Sequence, residues 1–242
     1  MIAAPRVIAE YTRAHARGQG STVVGIAGAV AAGKTRLATD VARAVADAGS
    51  TVEVVSTDGF LFPNAVLAQR DLFMRKGFPE SYDVAALRAF VGALRAGAAD
   101  VVVPVYSHET YDIVPDEHRT IAPVDVVVIE GVNALSALSD RLDVGVYVHA
   151  EEADLERWYM ARFHELCKTD DPASFYYRFV DMSSDDVDAL ALQAWRGINL
   201  VNLREHIEPS RASARLVVRK GADHMVIAVD VRDDGATFDR RS

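Results

Sequence analysis

The sequence predicts a three-layer α/β fold, a mostly parallel sheet with helices on both faces. Three observations point there. Val-rich runs of strand length recur at 22–28, 51–57, 100–106, 124–130 and 142–148. Longer helical patterns lie between them, and alternating β and α segments build parallel sheets covered on both sides. The runs are apolar at successive positions rather than at every second one, which suits strands buried on both faces.

Each element has its own signal. TVVGIAG (22–28) ends in a glycine-rich loop, and a helix is expected over 34–48. TVEVVST (51–57) is the second strand. The helix at 83–96 has Asp83 as N-cap and Gly97 just past its end, the usual start and stop residues. DVVVPVY (100–106) is expected as a further strand, with Val114-Pro115-Asp116-Glu117 as a turn within a short hairpin excursion. VDVVVIE (124–130) and LDVGVYV (142–148) flank a helix at 133–140. Helices follow at 151–167 and 185–206, the second capped by Ser184 or Asp185 and followed by Pro209. ARLVVRK (214–220) and HMVIAVD (224–230) alternate as a terminal hairpin. The expectation is one domain over 1–242, with its core at about 21–150 and 208–232 and a helical insert at about 151–207.

Composition narrows the function. The chain has 242 residues, half of them apolar, and a formal net charge of −9. A general nucleic-acid binder carries a basic surplus or stripe, so none is expected. No apolar run approaches the ~18 residues that span a bilayer, so no membrane role is expected, and the first residues lack the apolar core of a signal peptide. Cys167 is the one cysteine, which rules out an intrachain disulfide and suits a reducing, cytoplasmic setting. Lysines number four (34, 76, 168 and 220) against twenty-two arginines, so the positions that keep lysine are of interest.

Gly28-Ala29-Val30-Ala31-Ala32-Gly33-Lys34-Thr35 is GxxxxGK[ST], between a strand and a helix. That is the context a phosphate-binding P-loop requires. The glycines let backbone wrap closely round phosphates, and amides at the helix start attract the anion. Lys34 adds a point charge at the β/γ-phosphates, and the Thr35 hydroxyl suits Mg²⁺. The fold expectation thereby sharpens to a P-loop NTPase-type sheet, with ATP and Mg²⁺ as the implied cofactors.

Asp58 and Glu130 end the second and fourth strands. Ligands of open α/β sheets bind at the carboxyl ends of strands, so both carboxylates belong on the P-loop's edge. One suits Mg²⁺ and the other the proton of an attacking hydroxyl; spacing alone leaves the division open. Cys167-Lys168-Thr169-Asp170 has the wrong first residue and context for a guanine-specificity motif, which argues against a GTPase switch.

Several motifs in order then carry a resemblance: GIAGAVAAGKT, STDGFLFPN, KGFPESYD, PVYSHETYD, VVIEGVNAL, WYMARF, DPASFYY, INLVNL and RKGADH. The chain resembles the bacterial type I pantothenate kinases, within the P-loop kinase group that includes uridine kinase and phosphoribulokinase. The resemblance implies ATP-dependent phosphorylation of the primary hydroxyl of pantothenate, a small-molecule substrate, and a homodimer. It implies Asp58 as general base, Lys34 and Arg162 on the transferring phosphoryl group, and Thr35 and Glu130 on the metal. It implies Tyr106, His108, Tyr111, Tyr159, Phe175, Tyr176, Phe179 and Asn202 at the acceptor, and Lys220 and His224 near the adenine. The segment 151–181 is the expected lid.

Departures from the family pattern matter too. Where the resemblance leads one to expect Tyr-Phe-His-Asn-Tyr, the chain has Phe175-Tyr176-Tyr177-Arg178-Phe179. Two hydroxyls leave the acceptor wall and one charge joins it. Phe62 replaces an expected histidine, Thr39 an arginine and Leu166 an aromatic. The last two sit where the resemblance implies inhibition by coenzyme A, so weak feedback is expected. A kinase for another hydroxyl acceptor and a non-catalytic nucleotide-binding paralogue are the alternatives.

Overall fold

The computed structural model describes residues 3–233 and 236–239. Its main sheet holds seven strands: β1 (Thr22–Gly28), β2 (Val52–Ser56), β5 (Val126–Glu130), β6 (Val144–His149), β7 (Leu216–Lys220), β8 (Val226–Asp233) and β9 (Ala236–Asp239). Their order is β2-β5-β1-β6-β7-β8-β9. The first five are parallel, and β8 and β9 run antiparallel at one end. β1 therefore lies between β5 and β6 at the centre.

Successive apolar residues in β5 serve two cores. Val126 and Val128 pack with α1 (Ala4–Ala14) and α2 (Lys34–Asp47), through Ile8, Leu37, Val41 and Val45. Val127 and Ile129 pack with Leu87, Phe90 and Leu94 of α4 (Val84–Arg95) and Leu138 of α5 (Ala134–Leu138). Burying each such side chain is worth about 1.5–3 kcal/mol, so a polar residue at any of these strand positions would cost one helix layer. The Asp83 cap holds, its carboxylate accepting from the Ala86 amide at 2.8 Å.

Two expectations change. The 100–106 run does not join the main sheet. It becomes β3 (Val101–Ser107), paired only with β4 (Asp112–Ile121) as a separate antiparallel ribbon. Pro104, which has no N–H to give to a ladder, suits such a two-stranded ribbon better than a central strand. The ribbon turns at 108–111, not at 114–117. Pro104 opposes His118 and Tyr106 opposes Ile113, so Val114–Glu117 bulge opposite Val105, with Asp116 at φ 60°. The Pro-Asp signal marked a real break in the strand, but a bulge rather than its end.

Helix α1 was not among the expected elements. Pro5 sits in its first turn, and Ala4, Ile8, Ala9 and Thr12 face the core. After α6 (Glu152–Leu166) comes α7 (Ser184–Ala194), which continues through wide π-type turns at Trp195–Asn199 and Leu203–Ile207. The terminal hairpin forms as expected, and β9 adds to it.

Candidate active site

The carboxyl ends of β1, β2 and β5 gather the chemistry. Register puts Ser56 beside Glu130 and Ile26 beside Glu130. The P-loop leaves β1 and enters α2, with Ala31 at φ 63° and Gly33 at φ 80°. These left-handed residues turn the loop tightly ahead of a 14-residue helix, whose first amides have no partners within the helix.

Lys34 is half-buried, and its ammonium donates to the Ala29 carbonyl at 2.9 Å. Burial pulls its pKa down, while Glu130 and Asp58 oppose the shift. The Thr35 hydroxyl donates to Glu130 Oε1 at 3.1 Å. Glu130 is 5% exposed, and burial pushes its carboxyl up against the pull of Lys34. A buried carboxylate and a hydroxyl at one loop form a hard oxygen set. Magnesium takes one or two such protein ligands and fills its shell with phosphates and water, so the residues fit that ion.

Asp58 lies in the turn after β2, where its amide donates to Ser56 Oγ at 3.3 Å. The hydroxyl of Tyr82 donates to its Oδ1 at 3.4 Å. His108 Nε2 stands 3.9 Å from its Oδ2. The β3–β4 tip brings His108 and Tyr111 here. Asn64 anchors that tip, its amide donating to Asp112 Oδ1 and its side-chain nitrogen to the Tyr111 carbonyl, each at 2.9 Å.

An aromatic wall runs outward from the tip. Tyr106 meets the His108 ring at 5.2 Å and Tyr111 at 6.5 Å. Tyr111 packs on Phe175 at 4.7 Å and faces Tyr176 at 6.5 Å. Phe163 joins Tyr176, Phe179 and Tyr159, and Tyr159 leans on Trp195. Burial drives the phenols of Tyr106 and Tyr111 upward, so both stay protonated, and lifts Tyr159 to about 12. Arg178 stacks over Phe175 at 4.0 Å and donates to its carbonyl.

Asn202, in the turn between the two π-type segments, is 5% exposed. Its Nδ2 donates to the Gly77 carbonyl at 2.8 Å, and its Oδ1 is buried without a partner. Arg162 is exposed on α6, close enough to Lys34, Tyr159 and Tyr176 to influence their charge states. Lys220 and His224 hold the other flank. Lys220 Nζ donates to the Ala32 carbonyl at 2.8 Å, which sets it against the P-loop backbone. The His224 ring stacks on Trp158 at 3.6 Å.

Two residues absent from the sequence-based set stand in the site. Tyr82 touches Asp58. Lys76 is 8% exposed, donates to Asn64 Oδ1 at 2.7 Å and lies over the Tyr111 ring at 4.1 Å. Burial lowers its pKa to about 8. Both lie in KGFPESYD, so the motif was visible but the inward side chains were not. Thr39 folds its hydroxyl back onto the Thr35 carbonyl at 2.9 Å.

Fold and site define a P-loop phosphotransferase. The profile of the Phosphoribulokinase / Uridine kinase family matches residues 23–160, and the chain belongs to that family. Within it, a pantothenate kinase of Sorangium cellulosum (strain So ce56) is 49% identical over 222 residues, covering 87% of this chain and 72% of that one. One from Rhodopseudomonas palustris (strain BisA53) is 42% identical over 226 residues, covering 87% and 71%. The chain is a member of the bacterial pantothenate kinases. A solved D-glycerate 3-kinase from Cryptococcus neoformans shares the fold, with a TM-score of 0.66 over 95% of this chain and 97% of its own at 14% identity.

Proposed function

We propose that the protein transfers the γ-phosphoryl group of ATP to the primary hydroxyl of pantothenate, the first step of coenzyme A biosynthesis. The observation that carries this reading is Asp58, held at the P-loop's edge and facing an acceptor wall of Tyr106, His108 and Tyr111. Asp58 Oδ2 takes the proton as the acceptor oxygen attacks in line. Lys34 and Arg162 balance charge on the transferring group. Thr35 and Glu130 would hold Mg²⁺, which would supply positive charge to the phosphate oxygens. Asn202 offers its unpaired Oδ1 to an acceptor O–H or N–H, and the aromatic wall excludes water. Segment 151–181 serves as lid.

A homodimer in the cytoplasm completes the reading, with no nucleic-acid or membrane partner; among the described residues no helix is long and apolar enough to cross a membrane. Thr39, bonded to its own helix, supports weak feedback by coenzyme A. Inhibition at low micromolar coenzyme A, competitive with ATP, would refute that part.

The test is coupled ADP release with ATP, Mg²⁺ and pantothenate, using Lys34→Ala as blank. Turnover that saturates with pantothenate and vanishes in the variant supports the reading. ATP binding without pantothenate-dependent ADP rejects it, and the Arg178 charge then directs a screen toward anionic hydroxyl acceptors.

A further inference from the structure

Asp58 has two oxygens in different surroundings. Oδ1 meets the Tyr82 hydroxyl at 3.4 Å. Oδ2 faces His108, 3.9 Å away on a side chain that is 60% exposed. The two neighbours differ in how firmly they are held. Tyr82 is 4% exposed, and its segment is sewn to the turn that carries Asp58. Phe62 N donates to the Ser81 carbonyl at 2.9 Å and Asp83 N to the Phe60 carbonyl at 2.8 Å. Leu61 and Tyr82 form an antiparallel bridge between these bonds. The phenol is thus fixed relative to the Asp58 backbone by main-chain bonds on both sides.

We propose that Tyr82 is the positioning residue for Asp58: its hydroxyl pins Oδ1 and leaves Oδ2 as the oxygen that meets the acceptor. The assignment rests on Asp58 acting as general base. A carboxylate at a strand end can rotate about two side-chain bonds, and one buried donor removes the unproductive rotamers. A buried phenol suits this task because it stays neutral and has a single proton to give; burial and Asp58 itself both push its pKa upward. The exposed His108 imidazole is not held in this way. It is free to follow the acceptor, whereas Tyr82 is not.

The experiment compares Tyr82→Phe, Asp58→Asn and the double variant. Tyr82→Phe deletes one oxygen and keeps the ring in the core. A lost hydrogen bond to a charged group predicts a fall in kcat of roughly tenfold. KM for ATP and for pantothenate should stay within about twofold, because the contact orients a base rather than binding a ligand. In the Asp58→Asn background the same change should cost nothing further. The cycle is repeated in thermal melting with Asp58→Ala, where the shift caused by Tyr82→Phe should differ from that in the parent.

Unchanged kcat in Tyr82→Phe overturns the proposal, as does an equal loss in both backgrounds. An equal melting shift with and without the Asp58 carboxylate also overturns it. Near-normal turnover of Asp58→Asn removes the general-base reading and the Tyr82 assignment with it. A dead Asp58→Asn beside an unimpaired Tyr82→Phe removes Tyr82 alone.

Discussion

Lys220 at the end of β7 donates to the carbonyl of Ala32 inside the P-loop, 2.8 Å away across 188 residues of chain. A Cβ on Gly33 would come within 2.6 Å of the same ammonium, so the lysine and the loop are packed against each other. Burial lowers the Lys220 pKa, helped by Arg36 and Lys34. The protein gathers positive charge where phosphates are to lie.

Lys220→Met should therefore weaken ATP rather than the acceptor. The Ala32 carbonyl loses its donor, and the site loses a charge held in a low-dielectric setting. KM for ATP is expected to rise about tenfold, with kcat within about threefold. Initial rates across an ATP series check this. An unchanged KM would mean the lysine serves only the loop's backbone.

Asn202 predicts the opposite split. Its Nδ2 is committed to Gly77, leaving Oδ1 buried and unpaired. Asn202→Leu removes the acceptor and strands the Gly77 carbonyl, a loss of about 1–3 kcal/mol for a buried polar partner. The KM for pantothenate should rise between about tenfold and a hundredfold, with KM for ATP unchanged. Titration with each substrate separates the two.

The main sheet was legible because its strands are Val-rich and its loop carries GxxxxGK. Lys34 and Thr35 followed from that motif, and Asp58 and Glu130 from their places at strand ends. The ribbon was not, because the Val101–Val103 run has the composition of a buried strand, and only pairing with 112–121 decides its place. Helix α1 has a core face at helical spacing, Ala4, Ile8 and Thr12, but its start has no side-chain cap and its end falls at His15 rather than at a glycine, so the usual cap signals were missing. Lys76 and Tyr82 stand in a turn-rich stretch, where sequence carries no rule for which side chains face inward.

Lys76 gives a stability test with a definite sign. Burial holds its folded pKa near 8, against 10.5 ordinarily. Between those values the unfolded chain binds more protons than the folded one, so stability rises with pH. Below about pH 8 the buried charge is a full cost; by pH 10 most of that cost is gone. Lys76→Met lacks this group. Denaturant melts at pH 7.5 and pH 10 should show the parent gaining on the variant by up to ~2 kcal/mol. No gain would place the ammonium in water.

Gly59 links the two sheets at the site. A Cβ there would come within 2.6 Å of the Pro104 carbonyl and 3.3 Å of Val103. Both belong to β3, which carries Tyr106 and leads to His108, while Gly59 directly follows Asp58. The methyl of Gly59→Ala meets backbone, so the ribbon must move away from the general base. Overpacking of this kind costs about 1–3 kcal/mol, which a melting experiment reads. The functional effect should fall on kcat/KM for pantothenate, by at least about tenfold, because the acceptor wall and Asp58 separate. ATP binding, built on β1 and α2, should persist in an equilibrium titration. Loss of both together would mean that the ribbon also supports the P-loop, although no strand ladder joins the ribbon to the main sheet.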